Sequence, residues 1–174
     1  MYKDFKIYNS KVFNEVIIVE PDFFEDHRGF IYSSYLESVF LEQINDKIKF
    51  THNKFAHNNK GVLRGIHGDF ESWKMVSCVY GNIFQLVVDN RKESTTYLQH
   101  EVFNLDHKNP KQIIIPPGFG NAFLVLSDYA VYNYQLAYTG EYNDFDKQFT
   151  LKWNDKNLNI DWPIKDPILS NRDK

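Results

Sequence analysis

About ten short segments rich in β-branched and aromatic residues follow one another along this chain of 174 residues, as they do in a sandwich, jelly roll or barrel. Examples are KMVSCVY (74–80), IFQLVVD (83–89) and AVYNYQLAY (130–138). Aromatic residues make up 17% of the chain, and such side chains favour strands over helices. One segment, LESVFLEQI (36–44), has helical spacing of its apolar residues. We therefore predict an all-β fold with one or two short helices.

Glycine and proline residues separate these segments without forming a linker. The chain has 8 Gly and 6 Pro, and it contains no low-complexity tract or charge block. We therefore expect a single domain over residues 1–174. Gly81 and Asn82 lie between two of the predicted strands, and this two-residue spacing predicts a tight hairpin.

Charge and cysteine content exclude several classes of protein. The net charge of −3 argues against a nucleic-acid surface built on bulk positive charge. Cys78 is the only cysteine, so a disulfide framework is excluded, and we interpret it as a small packed side chain. No apolar run approaches the roughly 20 residues of a membrane span, and MYKDFKIYNS lacks the apolar core of a signal peptide. We expect a cytoplasmic protein with neither nucleic-acid nor membrane partners.

One segment partly matches the metal-ligand pattern of cupin jelly rolls, in which glycine precedes a His-x-His pair by five residues. Gly61 and His67 have this spacing, but Asp69 takes the place of the second histidine. Asn121 stands where a later histidine ligand belongs. One imidazole with carboxylates suits zinc or copper poorly. We therefore expect no metal.

The surroundings of His67 indicate a role beyond packing. Arg64 and Lys74 lie close in sequence and suit an oxyanion or phosphate, whereas a solvated basic edge strand is the alternative interpretation. Glycines at 61, 65 and 68 permit a ligand to approach the backbone closely. Strand alternation places Tyr134 in an aromatic stripe that lines either a core or a site.

Four segments together resemble the dTDP-4-dehydrorhamnose 3,5-epimerase family. They are GVLRGIH (61–67), KMVSCVYGNIFQLVVDNR (74–91), IIIPPGFGNAFLVLSD (113–128) and IDWPIKDPILSNRD (160–173). The resemblance implies a cupin-type jelly roll, also called a double-stranded β-helix. It further implies a homodimer, no metal, no cofactor and a nucleotide-linked 4-keto-6-deoxy sugar as substrate.

The resemblance also assigns the chemistry to four residues. A ketone at carbon 4 acidifies the hydrogens on carbons 3 and 5, so a base can remove one and leave an enolate. Inversion at both carbons and inversion at carbon 3 alone both stay open. By the family pattern, His67 is the base and Asp173 its carboxylate partner. Lys74 matches the lysine near the keto oxygen, and Tyr134 matches the acid that reprotonates from the other face.

Substrate binding is assigned to five further residues. Arg64 and Arg28 match arginines that hold the diphosphate, with Arg28 acting across the dimer. Asn121 replaces a family histidine and keeps a hydrogen-bonding side chain that cannot titrate. Phe30 and Phe119 are candidates to stack on the base or line the pocket.

Departures from the family pattern concentrate in the expected nucleotide and sugar contacts. Gly68 and Asp69 replace a Tyr-Gln pair, HNKFA (52–56) replaces a QDNHS-like stretch, and Ser33 replaces a glutamate associated with thymine contact. Together with the RGIH and GFGNAF spellings, these departures favour the branch that acts on GDP-4-keto-6-deoxy-heptoses for capsular polysaccharide. A seven-carbon sugar would use the room left at Gly68.

Four alternatives remain open. The first is a dTDP-4-dehydrorhamnose 3,5-epimerase. A sugar 3,4-ketoisomerase shares the fold but usually carries a His-x-His pair, which Asp69 interrupts. A metal-dependent cupin oxygenase is disfavoured by Asp69 and Asn121 together. A non-catalytic cupin that binds a sugar or a protein would not need all four chemical residues.

Overall fold

The computed structural model describes residues 4–142, 144 and 146–174. These residues form thirteen strands and one helix. In chain order the elements are β1 (Phe5–Asn9), β2 (Ile17–Pro21), β3 (Phe23–Asp26), β4 (Gly29–Tyr32), α1 (Glu37–Gln43), β5 (His52–Asn59), β6 (Leu63–Gly68), β7 (Trp73–Tyr80), β8 (Asn82–Asp89), β9 (His100–Asp106), β10 (Gln112–Ile115), β11 (Phe119–Val125), β12 (Tyr129–Ala137) and β13 (Phe149–Thr150).

Most strands belong to two antiparallel sheets that face each other. One sheet has six strands in the order β1-β2-β10-β7-β12-β5, and the other has five in the order β13-β6-β11-β8-β9. A buried cluster between them draws Val76 and Ile113 from the first sheet and Val87 and Phe123 from the second. The predicted all-β jelly roll is therefore confirmed, and the cupin-type resemblance holds at the level of architecture.

The C-terminal residues cover the outer face of the five-stranded sheet. Leu158 and Trp162 join a second buried cluster with side chains of β6 and β8, and the Trp162 ring lies 5.2 Å from that of Phe84. Farther along, the Leu63 backbone N–H donates to the Ile168 carbonyl. Because both faces of this sheet are covered, its central strands are apolar nearly throughout. The same packing places the last residues of the chain beside the C-terminal end of β6, where His67 lies.

The predicted hairpin at Gly81 is wrong, because the two strands it joins lie in different sheets. Strand β7 pairs with β10 and β12, whereas β8 pairs with β9 and β11. Gly81 is therefore a corner at which the chain crosses from one sheet to the other. A hairpin and a corner require the same short spacing, so the local sequence does not distinguish them.

Two elements lie outside the main sandwich. Helix α1 falls within the predicted helical segment and buries Phe40 against Met75 and Ile114 of the six-stranded sheet. Strands β3 and β4 pair only with each other and expose Phe24 to 54% and Ile31 to 56%. In the part of the chain that the structure describes, no helix has the length and apolar character needed to cross a bilayer.

The corner at Gly81 generates the first prediction. Gly81 has φ +86°, and an added Cβ would lie 2.3 Å from the Tyr129 carbonyl oxygen. Gly140 has φ +76° but open space around it, so it is a matched control. We expect Gly140→Ala to lower the free energy of unfolding by about 1 kcal/mol, the cost of left-handed backbone. Gly81→Ala should lower the free energy of unfolding by about 1 to 3 kcal/mol more than Gly140→Ala does, because its added Cβ overpacks the corner.

Urea denaturation of both variants and the parent chain measures these losses. Equal losses for the two variants would show that the surroundings of Gly81 relax without cost, so that the corner does not require glycine for steric reasons.

Candidate active site

A cavity of about 310 Å³ opens between the two sheets. His67 and Asn121 reach it from the five-stranded sheet, and Lys74 and Tyr134 reach it from the six-stranded sheet. Asp173 closes one side from the C-terminal segment. A flat ligand in this cavity would therefore have different side chains on its two faces.

His67 is held by a buried carboxylate. Its Nε2 lies 2.5 Å from Asp173 Oδ1, and the Asp173 side chain is only 2% exposed. The other carboxylate oxygen accepts a hydrogen bond of 2.8 Å from Ser170 Oγ. Because a carboxylate only accepts, Nε2 carries the hydrogen and Nδ1 keeps its lone pair. The contact thus fixes the tautomer that a base facing the cavity requires.

The environment of His67 keeps its imidazole neutral. Burial lowers the pKa of His67 below its ordinary value, and the charges of Arg172 and Lys74 lower it further. Asp173 opposes these effects through its charge and hydrogen bond. The net direction is downward, so the imidazole is free to accept a proton at neutral pH.

Lys74 is a buried cation with a buried counterion. Its Nζ lies 3.6 Å from Asp69 Oδ2. Burial lowers the pKa of Lys74, and the Asp69 carboxylate opposes that effect. Asp69 Oδ1 accepts hydrogen bonds from the backbone N–H groups of Glu71 and Ser72, which fixes the carboxylate in place. Asp69, a departure from the family spelling, is thus the partner of Lys74.

Tyr134 presents a phenol from the sheet opposite His67. Burial raises the pKa of Tyr134 above its ordinary value, and the Arg64 charge opposes that shift. The phenol is therefore protonated at neutral pH and can donate a proton. Its ring lies 5.9 Å from that of Tyr132, which stacks on Phe123 at 4.0 Å. This buried stack sets the position of the phenol.

Two predicted binding residues also line the cavity. Arg64 donates from Nε to Asn58 Oδ1 at 2.8 Å. Asn121 lies directly opposite His67 in the ladder between β11 and β6. The cavity therefore gathers six of the nine predicted residues: His67, Lys74, Tyr134, Asp173, Arg64 and Asn121.

Arg28 and Phe30 lie elsewhere, on the exposed hairpin of β3 and β4. They line a separate surface pocket, and the Arg28 guanidinium makes a two-point contact with Asp26. Neither residue lines the cavity of its own chain.

The assignment of Phe119 to substrate contact needs correction. Phe119 is 1% exposed, and its ring packs edge-on against Phe13 at 5.1 Å. The Arg91 guanidinium lies 4.4 Å above the same ring. Although Phe119 and Asn121 alternate onto the same face of β11, only Asn121 reaches the cavity. Phe119 is a core residue.

The sequence interpretation missed several cavity residues, of which Arg172, Lys54 and Asp144 carry charge. Arg172 donates to Thr150 Oγ1 at 3.0 Å, and its Nη2 is buried with no hydrogen-bond partner among the residues described. Lys54 Nζ lies 4.1 Å from the centre of the Tyr142 ring. Arg172 could have been found from the sequence because it is a basic residue directly before Asp173. Lys54 could have been found because side chains alternate between the two faces of a strand such as β5.

Gly68 does not enlarge the cavity. A Cβ at this position would lie 2.3 Å from Cζ of Phe149 and 2.3 Å from the Phe119 carbonyl oxygen. The Phe149 side chain thus occupies the space that the absent Gly68 side chain leaves. The expectation that a larger sugar uses this space is therefore wrong.

The potential metal ligands are committed to other contacts. No three His, Cys, Asp or Glu side chains converge as a metal ion would require in residues 4–142, 144 and 146–174. His67 is bound to Asp173, and Asp69 is engaged by two backbone N–H groups and by Lys74. That the site works without a metal stays a prediction.

Comparison with known proteins identifies the family. Residues 10–174 match the family model described as dTDP-4-dehydrorhamnose 3,5-epimerase. The chain belongs to that family. It is a family of sugar epimerases, which are isomerases.

Individual relatives agree with this assignment over nearly the whole chain. The chain is 38% identical to the dTDP-4-dehydrorhamnose 3,5-epimerase of Shigella flexneri, covering 91% of this chain and 88% of that protein. The Salmonella typhimurium enzyme of the same name is 37% identical, with 91% and 87% covered. A dTDP-6-deoxy-D-glucose-3,5-epimerase from Legionella pneumophila, solved with dTDP-4-keto-L-rhamnose, superposes with a TM-score of 0.90. It is 33% identical, with 98% of this chain and 90% of that chain covered.

These relatives overturn the expectation of a GDP-linked heptose. The Shigella and Salmonella relatives are named for a dTDP-linked sugar, and the Legionella structure holds one. The spellings taken as marks of a GDP-heptose branch therefore do not define this chain's substrate.

The charges around His67 generate a prediction that needs no substrate. Arg172→Met removes a positive charge, so the pKa of His67 should rise. Asp173→Asn removes a negative charge and a charged acceptor, so the pKa of His67 should fall. An NMR titration of the six histidine imidazoles, with His67 assigned through His67→Asn, measures both shifts.

Arg172→Lys is the matched control because it keeps the charge, and it should leave the His67 pKa near that of the parent. A downward shift in Arg172→Met would contradict the conclusion that the Arg172 charge lowers the pKa of His67.

Proposed function

We propose that this chain inverts carbons 3 and 5 of a dTDP-linked 4-keto-6-deoxy sugar. One observation carries the proposal: a neutral imidazole and a protonated phenol enter one cavity from opposite sheets, with a buried ammonium beside them. Inversion through an enolate needs a base on one ring face, an acid on the other and a cation at the oxygen. The cavity offers all three.

The proton transfers follow from the positions of the groups. His67 Nδ1 takes the proton from carbon 3 or carbon 5, and the C–H electron pair moves onto the carbon 4 oxygen as an enolate. The Lys74 ammonium stabilises that negative charge. Tyr134 then gives its phenolic proton to the other face of the carbon, which inverts the centre. Proton exchange with water restores imidazole and phenol before the second carbon reacts.

The nucleotide part of the proposal rests on the relatives and on Arg64. The Legionella relative was solved with dTDP-4-keto-L-rhamnose. Arg64 lines the cavity with its Nε held by the buried Asn58, so its outer nitrogens remain oriented for a diphosphate. Residues 1–174 would act as one epimerase domain.

We also propose a homodimer assembled through the hairpin of β3 and β4. Four large apolar side chains of this hairpin are exposed in the single chain: Phe23, Phe24, Phe30 and Ile31. Such a patch is expected to be covered by another protein surface. Pairing with a second copy would bring Arg28 and Phe30 near that copy's cavity, in agreement with the resemblance.

Solvent exchange tests the chemistry. The protein is incubated in D2O with dTDP-4-keto-6-deoxyglucose, and NMR follows deuterium at carbons 3 and 5. We expect deuterium at both carbons together with inverted product. His67→Asn should lower both rates by roughly 10²- to 10⁴-fold, the usual contribution of a general base.

Tyr134→Phe separates the two proton transfers. Without the phenol, His67 can still remove a proton and return a deuteron to the same face. Deuterium should therefore enter while epimerised product falls by roughly 10²-fold or more. Transfer of the ketone to carbon 3 would instead indicate a 3,4-ketoisomerase. Absence of exchange in the parent enzyme with the dTDP-linked sugar would overturn the proposal. A GDP-linked 4-keto-6-deoxy sugar serves as the comparison substrate.

Light scattering tests the dimer. Phe24→Asp places a charge in the exposed hairpin, so it should shift the mass from two chains towards one. Tyr97→Asp is the control, since Tyr97 is 38% exposed and lies outside the hairpin. A parent protein of single-chain mass, or a hairpin variant that stays dimeric, would count against this arrangement.

A further inference from the structure

A buried glutamine lies on the inner face of the five-stranded sheet, directly opposite the cavity residue Phe123 in the ladder between β8 and β11. Gln85 interrupts the apolar segment IFQLVVD (83–89) and is 0% exposed. It belongs to β8 and does not line the cavity, so it has no direct route to a substrate. A fully buried amide in an apolar strand requires hydrogen-bond partners, and its partners indicate its role.

Gln85 donates to the cavity residue Asn121. Gln85 Nε2 lies 2.6 Å from Asn121 Oδ1 and 3.0 Å from the Leu86 carbonyl oxygen. Tyr132 donates its hydroxyl to the same Asn121 oxygen at 3.2 Å. Asn121 Oδ1 therefore accepts two hydrogen bonds, which is the usual capacity of an amide oxygen.

These contacts fix which end of the Asn121 amide faces the ligand. The oxygen is occupied by Gln85 and by Tyr132, which also lines the cavity, so the amide nitrogen with its two hydrogens is the end left for a ligand. Asn121 lies directly opposite His67 in the ladder, so the donors lie beside the base. If the amide turned over, the buried donors of Gln85 and Tyr132 would face N–H groups instead of an acceptor, which is unfavourable.

We propose that Gln85 is a positioning residue that orients Asn121 so that the Asn121 side-chain NH₂ donates to an acceptor oxygen of the bound sugar. The inference rests on the proposed function, because it names a contact to the same substrate. Gln85 does not touch the sugar and acts only through Asn121.

The cost to the fold supports a positioning role. Gln85 Oε1 is buried and has no hydrogen-bond partner among the residues described. A leucine would fill a similar volume without an unpaired oxygen, so stability alone gives little reason for glutamine at this position. The unpaired oxygen alone does not indicate a role, because the buried Gln112 has one too. The hydrogen bond to the cavity residue Asn121 is the reason to expect the benefit of Gln85 in catalysis, where it can be measured.

The first test compares two buried glutamines. Gln112 is also buried and has an unpaired Oε1, but it lies on β10 and does not line the cavity. Gln85→Leu should lower kcat/KM for the dTDP-linked sugar about tenfold, mainly through KM, as expected for one misdirected hydrogen bond. Gln112→Leu should change kcat/KM less than about twofold at a similar Tm. Equal effects of the two variants on kcat/KM would overturn the proposal.

A double-mutant cycle separates orientation from packing. Asn121→Asp has two equivalent oxygens, so its orientation no longer matters. Gln85→Leu added to Asn121→Asp should therefore cause no further loss of kcat/KM. The same tenfold loss in both backgrounds would show that Gln85 acts without Asn121 and would overturn the proposal.

One measurement does not depend on the substrate. Side-chain ¹⁵N relaxation should find the Asn121 amide rigid in the parent and in Gln112→Leu, and mobile in Gln85→Leu. An equally rigid amide in Gln85→Leu would overturn the inference even if the sugar proves to be a different one. A parent enzyme inactive on the dTDP sugar, with the relaxation result as expected, would overturn only the proposed function.

Discussion

The candidate site depends on the packing of an irregular C-terminal segment against the outer face of the five-stranded sheet. Trp162 anchors that segment against Phe84, and its Nε1 donates to the Trp153 carbonyl oxygen at 2.8 Å. Ile168 then forms a short parallel bridge to Val62, the residue directly before β6. These contacts deliver Asp173 to His67, at the other end of the same strand. An apolar contact on the outside of the sheet therefore fixes the tautomer of the proposed base inside the cavity.

The electrostatics of the cavity follow from how its charges are paired. Asp173 faces His67, and Asp69 faces Lys74, so these two buried carboxylates each lie beside one ionisable side chain of the cavity. Arg172 adds a further positive charge that lowers the pKa of both His67 and Lys74. A positive field with a neutral imidazole suits an anionic intermediate, because the base stays available while developing negative charge is stabilised.

The sequence was sufficient for features that depend on local pattern. Strand β8 lies where its apolar run predicts, and helix α1 lies within its predicted segment, because burial and periodicity set both. Sheet membership at Gly81 was not predictable, since it depends on which distant strand each neighbour meets. His67 and Asp173 are 106 positions apart, and only the family resemblance paired them.

The error about the substrate has a similar physical origin. Gly68 suggested room for a larger sugar because a small residue leaves space in its own strand. The ring of Phe149, from a strand far along the chain, occupies that space. Phe119 was misassigned for a related reason: the place of a residue in a sequence motif does not determine how deeply its side chain is buried. The free volume beside a residue and the depth of its side chain are set by the whole fold. A residue that differs from the family pattern therefore does not by itself indicate a changed ligand.

The arrangement of the two sheets explains why one fold supports inversion. A base and an acid on the same sheet would face the same side of a flat sugar ring and would return the proton to the side it left. Because His67 and Tyr134 come from opposite sheets, a ring between them would meet the proposed base on one face and the proposed acid on the other. Asn121, on the same sheet as His67, adds a hydrogen-bonding amide to that side of the cavity. It does not add a second base, because an amide does not titrate. In the proposed reaction, His67 is thus the base that β6 presents to the ring beside Asn121, and the proposed direction of proton transfer follows from this placement.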